Sequence, residues 1–330
     1  MSVKTPQVMI AKNPKAAPAA VPSGLMETYV AADDYGFLER AGGMLRYACW
    51  NAHGTPRGTV VLMPGRGEFI EKYATEVVAE LLRRGYAVLS MDWRGQGLSD
   101  RALADRHKGH IDSFATYIAD FQLFLERVVA PSAPRPVLML CHSMGAHIVM
   151  RALAENGAGP FSAAVFVSPM TRLRRDGLLR SILMLTPEVP AVDKCYLLGS
   201  GPYVPHAQPF SSNIVTHDAR RFRFTEEWFA ADPRLALGGP TFGWARQAMR
   251  SMSLARAPGY LERIVLPALV LSGGDETLVD SRTHGPVTAR LRHGECVVIE
   301  GARHEIMMET DTIRGRFWHA FDRLAKSVTT

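Results

Sequence analysis

The stretch VLMLCHSMGAHIVM, residues 137–150, decides the fold class. Its apolar run ends at Cys-His-Ser-Met-Gly, and apolar residues then resume at helical spacing. A serine on a sharp turn between a buried strand and a helix is typical of a catalytic nucleophile with the motif G-x-S-x-G. Here the serine is Ser143, and Cys141 takes the first glycine position. Because a serine near a glycine is also common in structural corners, the rest of the chain has to distinguish the two interpretations.

Strand-length apolar runs alternate with helical patterns on both sides of this stretch. The patterns predict strands at residues 27–32, 42–51, 57–63, 86–91, 136–141, 163–168, 264–272 and 295–301. They predict helices at residues 69–84, 113–129, 144–155, 281–292 and 312–324. The first two strands are expected to pair antiparallel. Because the later strands are apolar on both faces, we expect an α/β fold whose mostly parallel sheet carries helices on both sides.

Residues 171–258 interrupt this alternation. They contain eight prolines and helical apolar patterns at 178–185 and 242–252, which predicts an inserted helical cap. The segment has 12 Lys and Arg against 7 Asp and Glu, so it carries +5 of the chain's net charge of +6. The core is predicted at residues 26–170 and 259–330. Residues 1–25, rich in Ala, Pro and Lys, are expected to form a disordered leader.

Composition narrows the classes of function. No apolar run approaches the ~20 residues of a transmembrane helix. The four cysteines are scattered without a CxxC pair, so we expect reduced thiols in a cytoplasmic protein and no zinc site. The chain has no run of five Lys or Arg and no interleaving of aromatic with basic residues, which argues against nucleic-acid binding.

Two loops offer the groups that a serine nucleophile requires, a backbone donor for the oxyanion and a general base. Acyl transfer needs backbone N–H groups that face the developing oxyanion. Residues 63–68, Met-Pro-Gly-Arg-Gly-Glu, follow a predicted strand, and we expect the N–H of Arg66 to serve together with the N–H of Met144. The general base must follow the last strand, where His304 lies in VVIEGARHEI. His142 and His147 flank the nucleophile and are expected to pack or to face solvent.

The acid that orients the base lies after the penultimate strand. The segment SGGDETLVD offers Asp275, Glu276 and Asp280. Asp280 precedes Ser281 and an amphipathic run, which is typical of a helix N-cap. The chain order of serine, acid and histidine differs from the orders of chymotrypsin-like and subtilisin-like enzymes.

From about residue 57 onward, the chain resembles α/β-hydrolases of the lysophospholipase and monoacylglycerol lipase branch. The motifs that carry this resemblance are PGRGEFIEKY (64–73), DWRGQGLSD (92–100), KGHIDSF (108–114) and CHSMGA (141–146). GGPTFGW (238–244) and EGARHEIMME (300–309) are more particularly similar to bacterial membrane-associated lysophospholipases. The sequence departs from the family pattern at two positions, with Pro64 for a histidine and Cys141 for a glycine.

The resemblance implies an α/β-hydrolase fold and a serine hydrolase that needs no cofactor or metal. Aligned without gaps, the family's catalytic carboxylate falls on Glu276, and a slip of one residue would select Asp275. The implied reaction cleaves the acyl ester of a lysophospholipid or monoacylglycerol through an acyl-enzyme on Ser143. The alternatives are an esterase for small soluble esters, a peptidase of the proline-iminopeptidase kind and a non-catalytic binding protein.

The basic cap suggests where such an enzyme would act. Four arginines precede or begin the first apolar cap segment: Arg172, Arg174, Arg175 and Arg180. They could contact a phosphate or an anionic membrane. We therefore expect a cytoplasmic protein that makes peripheral contact with the inner face of the membrane.

Overall fold

The computed structural model describes residues 16–328 of the chain. Its strands are β1 (Asp34–Arg40), β2 (Gly43–Trp50), β3 (Gly58–Met63), β4 (Tyr86–Met91), β5 (Val137–His142), β6 (Phe161–Val167), β7 (Pro267–Gly273) and β8 (His293–Ile299). Its α-helices are α1 (Ile70–Ala74), α2 (Val77–Arg83), α3 (Phe114–Phe124), α4 (Ala130–Ser132), α5 (Ser143–Asn156), α6 (Asp176–Leu185), α7 (Pro190–Asp193), α8 (Ala219–Ala231), α9 (Phe242–Ala255), α10 (His284–Thr288) and α11 (Asp311–Ser327).

The eight strands form one sheet in the order β1-β2-β4-β3-β5-β6-β7-β8. β2 pairs antiparallel with both β1 and β4, and all other neighbours are parallel. The prediction of a mostly parallel sheet is therefore confirmed. Because parallel strands end at the same edge, the loops after β3, β5, β7 and β8 meet there. That edge is where the predicted site residues lie.

Both faces of the sheet are buried, as the apolar strands require. Every residue of β3, β4 and β5 is buried. Val61 and Met63 of β3 join an apolar cluster with α3 and α5, whereas Val60 and Leu62 join a second cluster with α1, α2 and α11. Alternate side chains of one strand thus enter two separate cores.

The first predicted strand is misplaced. Residues 27–32 contain only an isolated bridge between Tyr29 and Thr75, and the edge strand is β1. β1 pairs with β2 from Asp34 opposite Cys49 to Arg40 opposite Gly43. A two-residue turn joins these strands, and its Gly42 has a φ of +82°, which glycine adopts without strain.

Two predicted helices are shorter than their patterns indicate. Residues 69–84 form α1 and α2, because the backbone turns at Glu76, where φ is +82°. The Glu76 carboxylate binds Arg221 at 2.6 Å and Arg314 at 3.0 Å, so tertiary ion pairs stabilise this break. Residues 281–292 contain a 3₁₀ turn at Ser281–Thr283 followed by α10. The preceding Asp280 does not cap this turn with its side chain, which instead pairs with Arg282 at 2.8 Å.

Part of the predicted leader is ordered. Ala16 and Leu25 are buried, and the backbone oxygen of Ala16 accepts a 2.6 Å hydrogen bond from Nε of Arg46. The backbone N–H of Ala19 donates to Asp232 at 3.0 Å. Residues 16–25 therefore contact the rest of the molecule through these groups. The remainder of the predicted leader, residues 1–15, lies outside the described residues.

The segment between β6 and β7 contributes no strand to the sheet in the described structure. It contains α6, α7, α8 and α9 joined by loops and short 3₁₀ turns. Throughout residues 16–328, none of the helices combines the length and apolar character that a membrane span requires.

Candidate active site

Ser143 stands at the junction of β5 and α5. Its φ of +50° is in the left-handed region that residues other than glycine rarely adopt. A Cβ atom on Gly145 would lie 2.2 Å from the backbone oxygen of Pro64. The first turn of α5 therefore packs directly on the loop after β3, and only glycine fits there. The result is a sharp turn that holds Ser143 at the carboxyl edge of the sheet.

The structure brings Ser143, His304 and Glu276 together. Nε2 of His304 lies 2.9 Å from Oγ of Ser143, and Nδ1 of His304 lies 2.6 Å from Oε2 of Glu276. A carboxylate can only accept a hydrogen bond, so Nδ1 carries the proton and Nε2 is free to accept from the serine hydroxyl. The side chain of Asp275 is exposed, whereas that of Glu276 is buried.

Glu276 is held in its ionised form. Burial opposes this, but the hydrogen bond and charge of His304 outweigh it and lower the pKa of Glu276. The backbone N–H groups of Leu278 and Val279 also donate to Oε1 of Glu276, at 2.7 Å and 3.2 Å. A buried carboxylate with these donors can orient an imidazole and stabilise its cation.

The loop after β3 lies against the serine. A Cβ atom on Gly65 would be 3.2 Å from Cβ of Ser143. Arg66 lies in this loop, and Met144 follows Ser143 in the first turn of α5. The two residues whose N–H groups were predicted to bind the oxyanion thus lie in the loop after β3 and directly after Ser143.

Buried side chains hold this loop in place. Oε2 of Glu68 accepts hydrogen bonds from the backbone N–H of Gly65 and from the hydroxyl of Tyr73, and Oε1 accepts from Lys72 at 3.0 Å. Trp93 donates its ring N–H to the backbone oxygen of Pro64 at 2.7 Å. The conformation of the loop thus depends on contacts within the protein.

His142 links the serine loop to the histidine loop, a role that the sequence did not indicate. Its Nδ1 lies 3.0 Å from Oε2 of Glu68, and its Nε2 lies 3.1 Å from the backbone oxygen of His304. Burial disfavours a charge on His142, but the Glu68 carboxylate outweighs it and raises the pKa of His142. In the sequence, the only feature that could have indicated this role was the position of His142 next to Ser143.

The other flanking histidine packs in the core, as expected. His147 is buried, and its Nε2 lies 2.6 Å from Oγ of Ser251 on α9. Burial and, to a lesser extent, the nearby cation of Arg151 lower the pKa of His147 to about 3. His147 is therefore neutral and takes no part in the chemistry.

Residues 171–258 are hydrogen-bonded to the loop after β4 and to the loop that carries His304. The backbone N–H of Gly109 donates to the oxygen of Gly239 at 3.1 Å, and that of Gly238 donates to the oxygen of His107 at 2.8 Å. The backbone N–H of Glu305, beside His304, donates to the oxygen of Val215 at 2.8 Å. This segment is thus joined at two separate places, and one of them is the loop that carries His304.

No set of three His, Cys, Asp or Glu side chains among residues 16–328 is arranged to bind a metal ion. The four cysteines, all within this range, are free thiols. Cys141 is fully buried at the end of β5, and burial raises its pKa well above the usual thiol range.

The sequence profile described as "Serine aminopeptidase, S33" matches residues 54–311, well over half of the chain. The chain belongs to this S33 family. Lysophospholipase L2 of Escherichia coli is 34% identical to this S33 family member over 271 residues, which cover 79% of this chain and 78% of the relative. The probable lysophospholipase L2 of Haemophilus influenzae is 31% identical over 259 residues, covering 78% and 80%. These relatives confirm the resemblance inferred from the motifs.

Solved structures establish the fold of this S33 family member. A soluble variant of monoglyceride lipase from Saccharomyces cerevisiae superimposes with a TM-score of 0.74 at 17% identity, covering 92% of this chain and 98% of that one. The monoacylglycerol lipase of Paleococcus ferrophilus gives a TM-score of 0.63 at 20% identity, covering 86% and 98%. The chain therefore has the predicted α/β-hydrolase fold.

Proposed function

We propose that the protein is a serine hydrolase that cleaves the acyl ester of single-chain lipids, lysophospholipid or monoacylglycerol. The observation that carries this proposal is the hydrogen-bonded series Ser143–His304–Glu276 at the carboxyl edge of the sheet. The S33 relatives named lysophospholipase L2 and monoglyceride lipase support the choice of substrate. A binding protein has no need of this arrangement.

The reaction follows from the geometry. His304 Nε2 takes the proton of Ser143 as Oγ forms a bond to the ester carbonyl carbon. The N–H groups of Arg66 and Met144 stabilise the oxyanion, and Glu276 stabilises the imidazolium. His304 then gives its proton to the departing glycerol oxygen, which leaves an acyl-serine. Water, deprotonated by His304, attacks the acyl carbon, and the fatty acid departs as Ser143 recovers its proton.

We assign residues 171–258 as a cap on a core made of residues 26–170 and 259–330. The proposal is supported by the lack of sheet strands in that segment and by its hydrogen bonds to the loop after β4 and to the loop that carries His304. Helix α6 has an apolar side towards α9, and its Leu183 is buried. The cap would cover the acyl chain, since each buried CH₂ contributes about 0.8 kcal/mol.

We also propose that the cap contacts an anionic membrane from the cytoplasmic side. Leu178, Met184 and Leu185 of α6 are 63%, 85% and 86% exposed, and the basic run precedes the other end of the helix from Met184 and Leu185. Asp176 pairs with Arg172 at 3.0 Å and lies 3.4 Å from Arg180, so part of the basic charge is neutralised within the cap. The exposed apolar tip would then contribute most of the binding.

Fatty-acid release tests the function. Wild type, Ser143→Ala and Ser212→Ala, a control at an exposed serine, would each receive a lysophospholipid and a monoacylglycerol with the same acyl chain. We expect Ser143→Ala to lose kcat by roughly 10⁴–10⁶-fold and Ser212→Ala to match wild type. Hydrolysis of short soluble esters alone would replace the proposal with a small-ester esterase, and no turnover of any ester would leave a binding protein.

Vesicle flotation tests the membrane contact. Wild type and the double variant Met184→Ser with Leu185→Ser would be mixed with phosphatidylglycerol or phosphatidylcholine vesicles. We expect wild type to bind the anionic vesicles more strongly and the double variant to lose most of that binding. Equal binding of wild type and variant would exclude the tip of α6 as the contact.

A further inference from the structure

We propose that the guanidinium of Arg66 binds the phosphate of a lysophospholipid substrate and so selects phospholipid over uncharged acylglycerol. The inference rests on the proposed function, because it assigns the polar end of the substrate of that site. It concerns the side chain of Arg66, whereas the oxyanion role concerns its backbone N–H.

Arg66 is a partly buried cation without an anionic partner among residues 16–328. No carboxylate of residues 16–328 pairs with it, and its Nε is buried without an acceptor. Burial lowers the pKa of Arg66 to about 10, which still leaves the group charged at neutral pH. Arg46, by contrast, is fully buried and pairs with two carboxylates, those of Glu71 and Asp92. An unpaired buried charge is costly, and a bound anion would relieve that cost.

The surroundings of Arg66 hold the guanidinium in one place. Its Nη2 donates to the backbone oxygen of Gly238 at 2.8 Å, and its Cζ lies 5.2 Å from the centre of the Trp244 ring. A Cβ atom on Gly109 would lie 2.4 Å from Nη2. These neutral groups fix the guanidinium, satisfy one of its N–H donors and do not neutralise its charge. The donor at Nε has no acceptor among residues 16–328.

The spacing within Arg66 fits the substrate. In a 1-acyl lysophospholipid, five atoms separate the ester carbonyl carbon from the phosphorus. In an arginine, five atoms separate the backbone nitrogen from Cζ. A substrate whose carbonyl oxygen accepts from the N–H of Arg66 therefore has its phosphate within the reach of the same side chain. A guanidinium is well suited to phosphate because its planar donors can bind two oxygens.

A purely structural role makes a different prediction. If Arg66 served only to attach the loop after β3 to Gly238, its removal would slow the hydrolysis of every ester by the same factor. If it binds phosphate, removal would change the ratio of kcat/KM values for two substrates that differ only in the phosphate. The ratio therefore distinguishes the two roles even when the overall rate falls.

The experiment measures kcat/KM for a lysophosphatidylcholine and a monoacylglycerol with the same acyl chain, in wild type, Arg66→Met and Arg66→Lys. The control is Arg246→Met, because Arg246 also donates to backbone oxygens, those of Leu183, Thr186 and Pro187, but pairs with Asp193. We expect Arg66→Met to lower the lysophospholipid-to-monoacylglycerol ratio at least tenfold, Arg66→Lys to retain part of it, and Arg246→Met to keep it. An unchanged ratio in Arg66→Met would overturn the inference.

A binding measurement separates this inference from the proposed function. In a Ser143→Ala background, calorimetry compares hexadecylphosphocholine with hexadecylglycerol, with and without Arg66→Met. Binding of the phosphocholine lipid that depends on Arg66 supports the inference even if wild type hydrolyses neither ester. Equal binding with and without Arg66 overturns it even if hydrolysis is fast. Inorganic phosphate that binds as tightly as the lipid, with the same dependence on Arg66, would overturn the substrate assignment and indicate a site for free phosphate.

Discussion

Glu276 and Asp275 are neighbours in the chain, and only Glu276 hydrogen-bonds to His304. Its longer side chain turns inward and accepts from His304 and from two backbone N–H groups, while Asp275 is exposed. The segment SGGDETLVD offered three carboxylates, and family alignment favoured Glu276. Composition could not decide between Glu276 and Asp275, because the partner of His304 is whichever of these two adjacent side chains points into the molecule.

This arrangement makes a prediction about two amide variants. We expect Glu276→Gln to lower kcat by about 10³–10⁴-fold, because an amide can hold the imidazole in the wrong tautomer and cannot stabilise its cation. Asp275→Asn is the matched control and should remain within about twofold of wild type, since its side chain is exposed. Steady-state kinetics on one soluble ester measures both. A large loss in Asp275→Asn alone would reverse the assignment.

Glu68 makes stability depend on pH. Burial opposes its ionisation, but His142 and then Lys72 outweigh burial and lower the pKa of Glu68 well below its usual value. Its carboxylate therefore stabilises the fold above the unfolded-state pKa of about 4.3, and this contribution is lost as the pH falls through the lower folded-state pKa.

We therefore expect the difference in unfolding free energy between wild type and Glu68→Gln to be largest above about pH 5 and to shrink towards pH 3. Urea unfolding at a series of pH values measures it. Glu295→Gln, at a half-exposed ion pair with Arg323, is the control and should change the unfolding free energy by less than about 1 kcal/mol. A difference that is constant with pH would contradict the role given to Glu68.

At the scale of elements, the contact between α5 and the loop after β3 determines the shape of the serine turn. A Cβ atom on Gly145 would meet the Pro64 oxygen at 2.2 Å, whereas a Cβ atom on Gly315 of α11 would meet nothing within 4 Å. We expect Gly145→Ala to lose about 1–3 kcal/mol of stability and roughly 10²-fold in kcat, because the helix must move away from the loop. Gly315→Ala should instead gain about 0.5–1 kcal/mol. Urea unfolding and kinetics of both variants test this contrast, and equal effects would contradict it.

The sequence predicted most elements because their cause is local. Buried parallel strands are short apolar runs, and β4 begins and ends where its pattern predicts. The errors arose where tertiary contacts determine the outcome. The break between α1 and α2 depends on ion pairs of Glu76 with arginines far along the chain, and periodicity contains no information about them.

At the scale of the whole molecule, Glu309 joins the histidine loop to residues 171–258. Its buried carboxylate accepts from the backbone N–H of Arg303 at 2.9 Å and from that of His217 at 3.0 Å, and Nδ1 of His217 lies 2.9 Å from it. The four site loops and the nucleophile could be predicted because each follows a strand end. The contact between the histidine loop and residues 171–258 could not be predicted, because neither has a distinctive sequence pattern.

We expect Glu309→Gln to reduce the unfolding free energy by about 1–3 kcal/mol, because an amide cannot accept all of these hydrogen bonds. We also expect kcat to fall, since His304 lies in the same loop. Urea unfolding and ester kinetics on the same preparation measure the two effects, with Glu295→Gln again as the control. A stable variant with unchanged kcat would show that the histidine loop does not need this attachment.

The parallel sheet places all of the chemistry at the carboxyl ends of its strands, and this leaves the opposite end of the molecule open to engineering. The exposed turn at residues 53–55, just before β3, lies at that opposite end, and a Cβ atom on Gly54 would meet nothing within 4 Å. A cysteine in place of the exposed Thr55, combined with Cys195→Ser because Cys195 is also exposed, would attach the protein to a solid support with the serine turn facing the solution. Immobilised catalyst made in this way keeps access for its substrate.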